Sequence, residues 1–224
     1  PHDQLSWEHT SGANAQADGA VLKCTPPPTP APPVVKGGSG SSSEPQQPAP
    51  LQQPPATVRG CCGRGRWQQG EGHGIVSFTF RIVRSKLGDG GRIKLGIVAQ
   101  GADGSMQEAL VFNPRSGNFT EMPHDLPDLT NGILGECLMP GNLAGNRATG
   151  ALVEVQANTL KNELRFRVAD NKGHRHPWHT AIIRRKAVAL PAVFAPFCRL
   201  GKPGDAVELV RCHVYIPGEA IREQ

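Results

Sequence analysis

The chain has 224 residues, a net charge of +5 and 38% hydrophobic residues, which suits one β-domain with its own core or two small domains. Its 24 Lys and Arg exceed the 19 Asp and Glu by too little for a dedicated nucleic-acid-binding protein. No apolar run approaches the roughly 18 residues that span a bilayer, and no secretory signal is present. We therefore expect a soluble protein without a membrane segment.

The first strands are predicted at residues 5–9 and 19–24, around a polar turn. Next, residues 26–57 contain eleven prolines and a Gly/Ser run, a composition that excludes a sheet or a packed helix and predicts a disordered loop or linker. Loop closure costs little for long loops, so we expect residues 1–25 to contribute the first strands of a domain that continues over 58–216. The alternative is that residues 1–57 form a tail. Residues 217–224 are predicted to form a C-terminal tail.

Several later segments alternate apolar and polar residues with a period of two, which is typical of half-buried antiparallel strands. The clearest are residues 76–82, 93–97, 153–157 and 164–168. The apolar run at 187–196 contains two prolines, which argue against a helix. No long amphipathic helix is predicted anywhere, so the fold class is all-β.

A family resemblance rests on six segments in chain order. They are the Gly-His sequence Glu71-Gly72-His73-Gly74, the hydrophobic–Gly–hydrophobic strand 94–98, the strand and turn 110–119, the strand pair 150–168, and the closing segments 190–193 and 204–209. Together they resemble a divergent SPRY domain of the concanavalin A-like superfamily. The chain departs from the family's Leu-x-Phe-x-x-Asn-Gly pattern after Phe166, because Asn171 and Gly173 come later.

This resemblance implies an antiparallel β-sandwich, or jelly roll, that acts as a non-catalytic interaction module. SPRY-like domains hold a peptide or protein through loops at one end of the sandwich. By position, those loops are 84–91, 100–108, 113–119 and 170–179. The predicted partner-binding residues are Arg84, Lys86, Asp103, Arg115, Arg175, His176 and Trp178.

Two other binding functions stay open. A lectin-like carbohydrate-binding domain needs an aromatic platform beside Asn or Asp, for which Trp178 and Asn171 are the candidates. An RNA-associated adaptor is the third reading, because residues 161–186 contain eight basic and two acidic residues around Trp178. An acidic protein segment also suits this face, so we expect an acidic protein partner more than nucleic acid.

The sequence does not favour an enzyme, a metal site or a cofactor. His174, His176 and His179 are close in sequence, but Arg175 between them would repel a cation, so an exposed loop is expected. There is no Gly-x-Ser-x-Gly elbow and no Gly-rich phosphate loop before a helix. The six cysteines lack Cys-x-x-Cys spacing and are expected to be reduced, which favours an intracellular, cytoplasmic location.

Overall fold

The computed structural model describes residues 5, 7, 9–11, 15–26, 58–61, 66–68, 74–85, 93–114, 117–123, 133–137, 148–183, 186–215 and 222–223. These residues contain eighteen β-strands and no helix. The predicted all-β class is confirmed. Sixteen of the strands form two antiparallel sheets, and the other two form a small hairpin.

Sheet I has the spatial order β1–β4–β16–β7–β8–β9–β10, with β5 also on β16. Its strands are β1 (His9–Ser11), β4 (Val58–Cys61), β5 (Trp67–Gln68), β7 (Lys94–Gln100), β8 (Met106–Phe112), β9 (Asn118–Pro123), β10 (Ile133–Cys137) and β16 (Val193–Leu200).

Sheet II has the order β13–β12–β11–β6–β17–β3–β2, with β18 also on β17. Its strands are β2 (Ala15–Asp18), β3 (Val21–Cys24), β6 (Ile75–Arg84), β11 (Leu152–Asn158), β12 (Glu163–Ala169), β13 (His179–Thr180), β17 (Ala206–Tyr215) and β18 (Arg222–Glu223). The separate hairpin consists of β14 (Ile182–Ile183) and β15 (Lys186–Ala187).

The two sheets pack face to face as a sandwich. Phe166 of sheet II lies against both Phe112 and Phe119 of sheet I, with ring centroids 5.6 and 5.5 Å apart. Phe78 of sheet II meets Phe194 of sheet I edge to face at 6.4 Å. Such ring pairs add to the burial of the apolar inner faces that drives two sheets together. The predicted β-sandwich is confirmed.

Sheet I is buried on both faces at its centre. Its outward side carries a second apolar cluster, distinct from the main core, consisting of Val98, Ala109, Val111, Met122, Ala195 and Phe197. Strand β16 is therefore almost continuously buried, which explains why residues 193–200 show no alternation of apolar and polar residues. In sheet II, β11 and β12 alternate strictly between buried and partly exposed residues.

Strands on both sides of the proline-rich segment take part in this sandwich. β2 and β3 belong to sheet II, and β1 pairs with β4 of sheet I. Trp7 and Leu22 are buried in the main core. The domain limits themselves stay predictions, because residues 27–57 and most of 216–224 lie outside the described residues.

The strand pairing defines two ends of the sandwich. The upper end is where β7 begins, and the turn 201–205 carries the chain there from sheet I to sheet II. The lower end holds the turns 101–105 and 159–162. Strand β3, which precedes the proline-rich segment, ends at the upper end. Strand β4, which follows that segment, begins at the same end.

Buried groups near the upper end include two thiols. Burial and the charge of Asp205 raise the pKa of Cys24 to about 11, and the same two causes raise the pKa of Cys198 well above its usual value. Both side chains are therefore protonated thiols at neutral pH. Among the described residues, no helix is long and apolar enough to cross a membrane.

Candidate functional site

The topology places three of the four predicted loops at one end. Each of these three loops follows a strand that ends at the upper end. Strand β6 ends there at Arg84, β8 ends there before residue 113, and β12 ends there before residue 170. The turn at 101–105 lies at the lower end instead, because successive turns of the antiparallel β7–β8–β9 meander alternate between ends. The prediction that all four loops share an end was wrong for this one.

Asp103 belongs to that lower turn and is used to build it. Its carboxylate accepts hydrogen bonds from the Ser105 hydroxyl at 2.6 Å and the Ser105 amide at 3.0 Å. Both hydrogen bonds lower the pKa of Asp103, and the bond from the hydroxyl has the larger effect. An Asp bonded to the backbone two residues on is a common turn former. Of the other predicted residues, Arg84 is exposed at the upper end of β6, and Lys86 and Arg115 lie outside the described residues.

The 170–178 loop contains Arg175, His176 and Trp178, and it is organised by Asp170. The Asp170 carboxylate accepts hydrogen bonds from the amides of Lys172 and His174, each at 2.9 Å. The His174 ring lies 3.4 Å from the other carboxylate oxygen. Although burial opposes it, these hydrogen bonds lower the pKa of Asp170, so the carboxylate that orders the loop stays ionised.

Backbone contacts fix the rest of this loop. Gly173 has φ +84°, a conformation that suits glycine, and its amide donates to the Asp170 carbonyl. The His176 amide donates a hydrogen bond to the carbonyl of Val168, and the backbone of Arg175 forms an isolated antiparallel β-bridge with Ala169. These contacts hold the loop against the end of β12.

Trp178 lies beside strand β12 and covers an arginine. The guanidinium carbon of Arg167 is 4.4 Å from the centre of the Trp178 ring, a cation–π contact. The Arg167 Nε in turn donates to Oε2 of Glu154 on the neighbouring strand β11. Arg175 approaches the same carboxylate, with its Nη2 3.8 Å from Oε1. Glu154, Arg167, Arg175 and Trp178 form what we call the Trp178 platform.

Two further ion pairs lie on this outer face. Arg165 contacts Glu163 at 2.8 Å, and Arg81 contacts Glu208 at 3.0 Å. A hydrogen bond from the Thr180 hydroxyl, opposed by burial and helped by Arg165, lowers the pKa of Glu163. The basic face expected from the composition of 161–186 is therefore partly neutralised across the described part of sheet II.

The sequence named Trp178, Arg175 and His176 as candidates and did not name Glu154, Arg167 and Asp170, which the structure places in or beside the same loop. The cross-strand pair was open to prediction, since the hairpin 153–168 sets Glu154 opposite Arg167 once its turn is placed. Contact between Arg167 and Trp178 depends on how the loop folds back, which no local pattern indicates.

The three histidines do not converge. His174 contacts Asp170, and His179 pairs with Phe166 in the sheet. Within the described residues, no group of three His, Cys, Asp or Glu is arranged to hold a metal ion. Near the upper end, the structure places the Trp178 ring beside the guanidinium groups of Arg167 and Arg175. An aromatic ring and guanidinium groups can contact a ligand by stacking and by hydrogen bonds.

No protein-family model and no curated protein matches this chain. Similar solved structures include the SPRY domain of human HERC1, at 14% identity, 95% coverage of this chain, 100% of that one and a TM-score of 0.43. The TRIM65 PSpry domain is similar at 11% identity, 93% and 92% coverage and a TM-score of 0.48. Arcelin-5, a lectin-like defence protein from Phaseolus vulgaris, is similar at 14% identity, 93% and 90% coverage and a TM-score of 0.48.

The similar structures thus include both SPRY domains and lectin-like proteins. Since the similarity extends to both classes at low identity, it does not choose between them. The functional argument rests instead on the contacts at the upper end.

Proposed function

We propose that this protein is a non-catalytic module that binds a peptide segment of a protein partner at its upper end. The observation that carries the proposal is the Trp178 platform. Trp178 is only partly buried, and it is braced by Arg167 from a strand that belongs to the rigid sheet. Tryptophan and arginine are the residues that most often dominate the energetics of protein interfaces.

The order of the loop supports the same function. A binding surface whose side chains are already positioned loses less conformational entropy when the partner docks. Asp170 supplies this order through its hydrogen bonds to the Lys172 and His174 amides. Although burial opposes it, the same hydrogen bonds lower the pKa of Asp170, so the carboxylate stays ionised and keeps accepting these bonds as the loop's organising group.

We also propose a reducing, cytoplasmic location. Cys24 and Cys198 are buried thiols whose raised pKa values keep them protonated, and thiols of this kind persist in the cytosol.

Affinity recovery from native lysate, with and without nuclease, tests the binding function. We expect a defined protein to co-purify with the wild-type chain after nuclease treatment and to be lost on Trp178→Ala. The matched control is Leu160→Ala, an exposed apolar residue in the lower turn, which should retain the partner. Thermal melting of each variant reports whether the fold is intact.

Three other results would contradict the proposed site or favour a different function. Equal retention of the partner by wild type and a folded Trp178→Ala variant would contradict the proposed site. Nuclease-sensitive recovery would favour an RNA adaptor. Retention on a glycan array that depends on Trp178 and Asn171, which share the loop, would favour the lectin-like function.

A further inference from the structure

Arg175 has a weak ionic contact. Its side chain is 61% exposed, and its Nη2 lies 3.8 Å from the nearer oxygen of Glu154. That separation is beyond the 2.7–3.2 Å range of an ordinary N–H···O hydrogen bond. Among the described residues, Arg175 makes an ionic contact with Glu154 alone. Most of its five N–H donors therefore face solvent.

Glu154 is held much more firmly, but by a different arginine. Its side chain is 12% exposed, and Oε2 accepts the hydrogen bond from Arg167. Oε1 is the oxygen turned toward Arg175. Arg175 can therefore leave Glu154 without leaving that carboxylate unpaired.

Charges around this contact leave an excess of cations. On the outer side of β6, β11, β12 and β17, together with the 170–178 loop, the described residues include six cations and four carboxylates. The cations are Arg81, Arg165, Arg167, Lys172, Arg175 and Arg211, and the carboxylates are Glu154, Glu163, Asp170 and Glu208. All four carboxylates accept hydrogen bonds from within the protein.

Building on the proposed function, we propose that the partner is an acidic peptide, and that Glu154 is the internal substitute for one of its carboxylates. In the free protein Arg175 points to Glu154. In the complex Arg175 releases Glu154 and binds a Glu or Asp side chain of the peptide, while the neighbouring peptide residue packs on Trp178.

The exchange is favourable because the two contacts differ in quality. A ligand carboxylate can approach the exposed guanidinium side on and accept two parallel hydrogen bonds, which Glu154 on its strand does not do. A nucleic acid fits this surface less well, because Glu154, Glu163 and Glu208 interrupt the row of cations that a phosphate backbone follows.

Fluorescence anisotropy with labelled decapeptides tests this exchange. Each probe peptide carries a single Glu at its centre, and the residue after this Glu varies from peptide to peptide over the common amino acids. A matched set has Gln in place of the central Glu. We expect the wild-type protein to prefer at least one Glu peptide over its Gln match by about tenfold, and 0.5 M NaCl to reduce the preference. Arg175→Gln should remove it.

Glu154→Gln gives the discriminating result. If Glu154 competes with the ligand, removing its charge should tighten binding of the Glu peptide several-fold, and the gain should vanish in the Glu154→Gln/Arg175→Gln double variant. A purely structural role for Glu154 predicts weaker or unchanged binding. Arg175→Lys, which keeps the charge but not the paired donors, should bind between wild type and Arg175→Gln.

Two outcomes would overturn the inference. No Glu-over-Gln preference, or a preference unaffected by Arg175→Gln, would exclude carboxylate capture by Arg175. If the lysate partner is still recovered through Trp178 in that case, the proposed function stands and only the ligand chemistry is wrong. Saturable binding of a labelled single-stranded RNA that Arg175→Gln abolishes, with no peptide preference, would replace the peptide by nucleic acid.

Discussion

The outer faces of the two sheets differ sharply in chemistry. Sheet I presents Val98, Val111, Met122 and Phe197 on its outward side, and all four are fully buried. Sheet II presents arginines and glutamates in cross-strand pairs such as Arg167 with Glu154. Although both faces point away from the shared core, the centre of the first is buried and the second meets solvent.

This difference separates a face that contributes to stability from a face whose side chains are exposed to solvent. A face that is buried on both sides contributes to the free energy of folding through apolar contacts. A solvated face contributes little to stability, because exposed ion pairs are weak, and its residues are therefore available for binding. The Trp178 platform lies on the solvated side, and the predictions below compare the two faces directly.

The largest effect is expected from truncating the buried outer side of sheet I. Phe197→Ala removes a ring that is 1% exposed, and we expect it to lower the free energy of unfolding by about 3–5 kcal/mol. The matched change on sheet II is Arg211→Ala at an exposed position, for which we expect less than about 0.5 kcal/mol. Urea denaturation measures both. Similar losses for the two variants would remove the contrast between the faces.

A second large effect is expected at Gly96, in the middle of β7. A Cβ added there would lie 2.0 Å from the Leu110 carbonyl oxygen of the neighbouring strand, where backbone has no room to yield. Gly96→Ala should therefore cost about 2–3 kcal/mol. The control is Gly104→Ala in the lower turn, with φ +79° and open space around it, which should cost about 1 kcal/mol. Equal denaturation midpoints for these variants would show that strand packing at Gly96 is loose.

An intermediate effect is expected within the Trp178 platform. Arg167→Ala removes the hydrogen-bond donor to the mostly buried Glu154 and the cation under Trp178, so we expect a loss of about 1 kcal/mol. Arg165→Ala breaks a more exposed pair with Glu163 and should cost about 0.5 kcal/mol or less. Denaturation at low and high salt measures both. A loss above about 3 kcal/mol for either would mean that this face is part of the core.

The smallest effect is the pH dependence of the loop. Folding lowers the pKa of Asp170 below its usual value of about 4, so the folded loop binds a proton less readily than the unfolded chain. Its stabilising contribution is complete above that usual value and is lost as the pH falls through the lower, folded pKa. The amide resonances of Lys172 and His174 should therefore shift as the pH falls below the usual pKa of an Asp side chain and should not do so in Asp170→Asn. Titration of these amides above pH 5 would exclude the assigned hydrogen bonds.

Local sequence predicted the alternating strands well and the doubly buried strands poorly. Residues 153–157 and 164–168 form β11 and β12 as their pattern indicated, with Arg165 and Arg167 on the outer side. The family resemblance added the sandwich architecture. Strand β16 was indicated only near its start, by the apolar run 187–196 and the closing segment 190–193, because a strand buried on both faces has no period-two signal to detect.

For the site, residue type and position indicated Trp178, Arg175 and His176, and the loop that holds them is at the upper end as expected. Asp103 was assigned to the same surface because its residue type suits an exposed loop. The alternation of turns along the β7–β8–β9 meander places it at the lower end, where it holds Ser105.

The sequence by itself determined the all-β class, the polar and apolar sides of the alternating strands and the presence of a basic, Trp-bearing loop, because each of these depends on residues close together in the chain. Only the tertiary structure decided that the outer side of sheet I is buried and that Glu154 joins Arg167 to Arg175 beside Trp178. Those features depend on strand order and on a loop folding back over a neighbouring strand. Such long-range packing is set by the whole chain and leaves no local pattern.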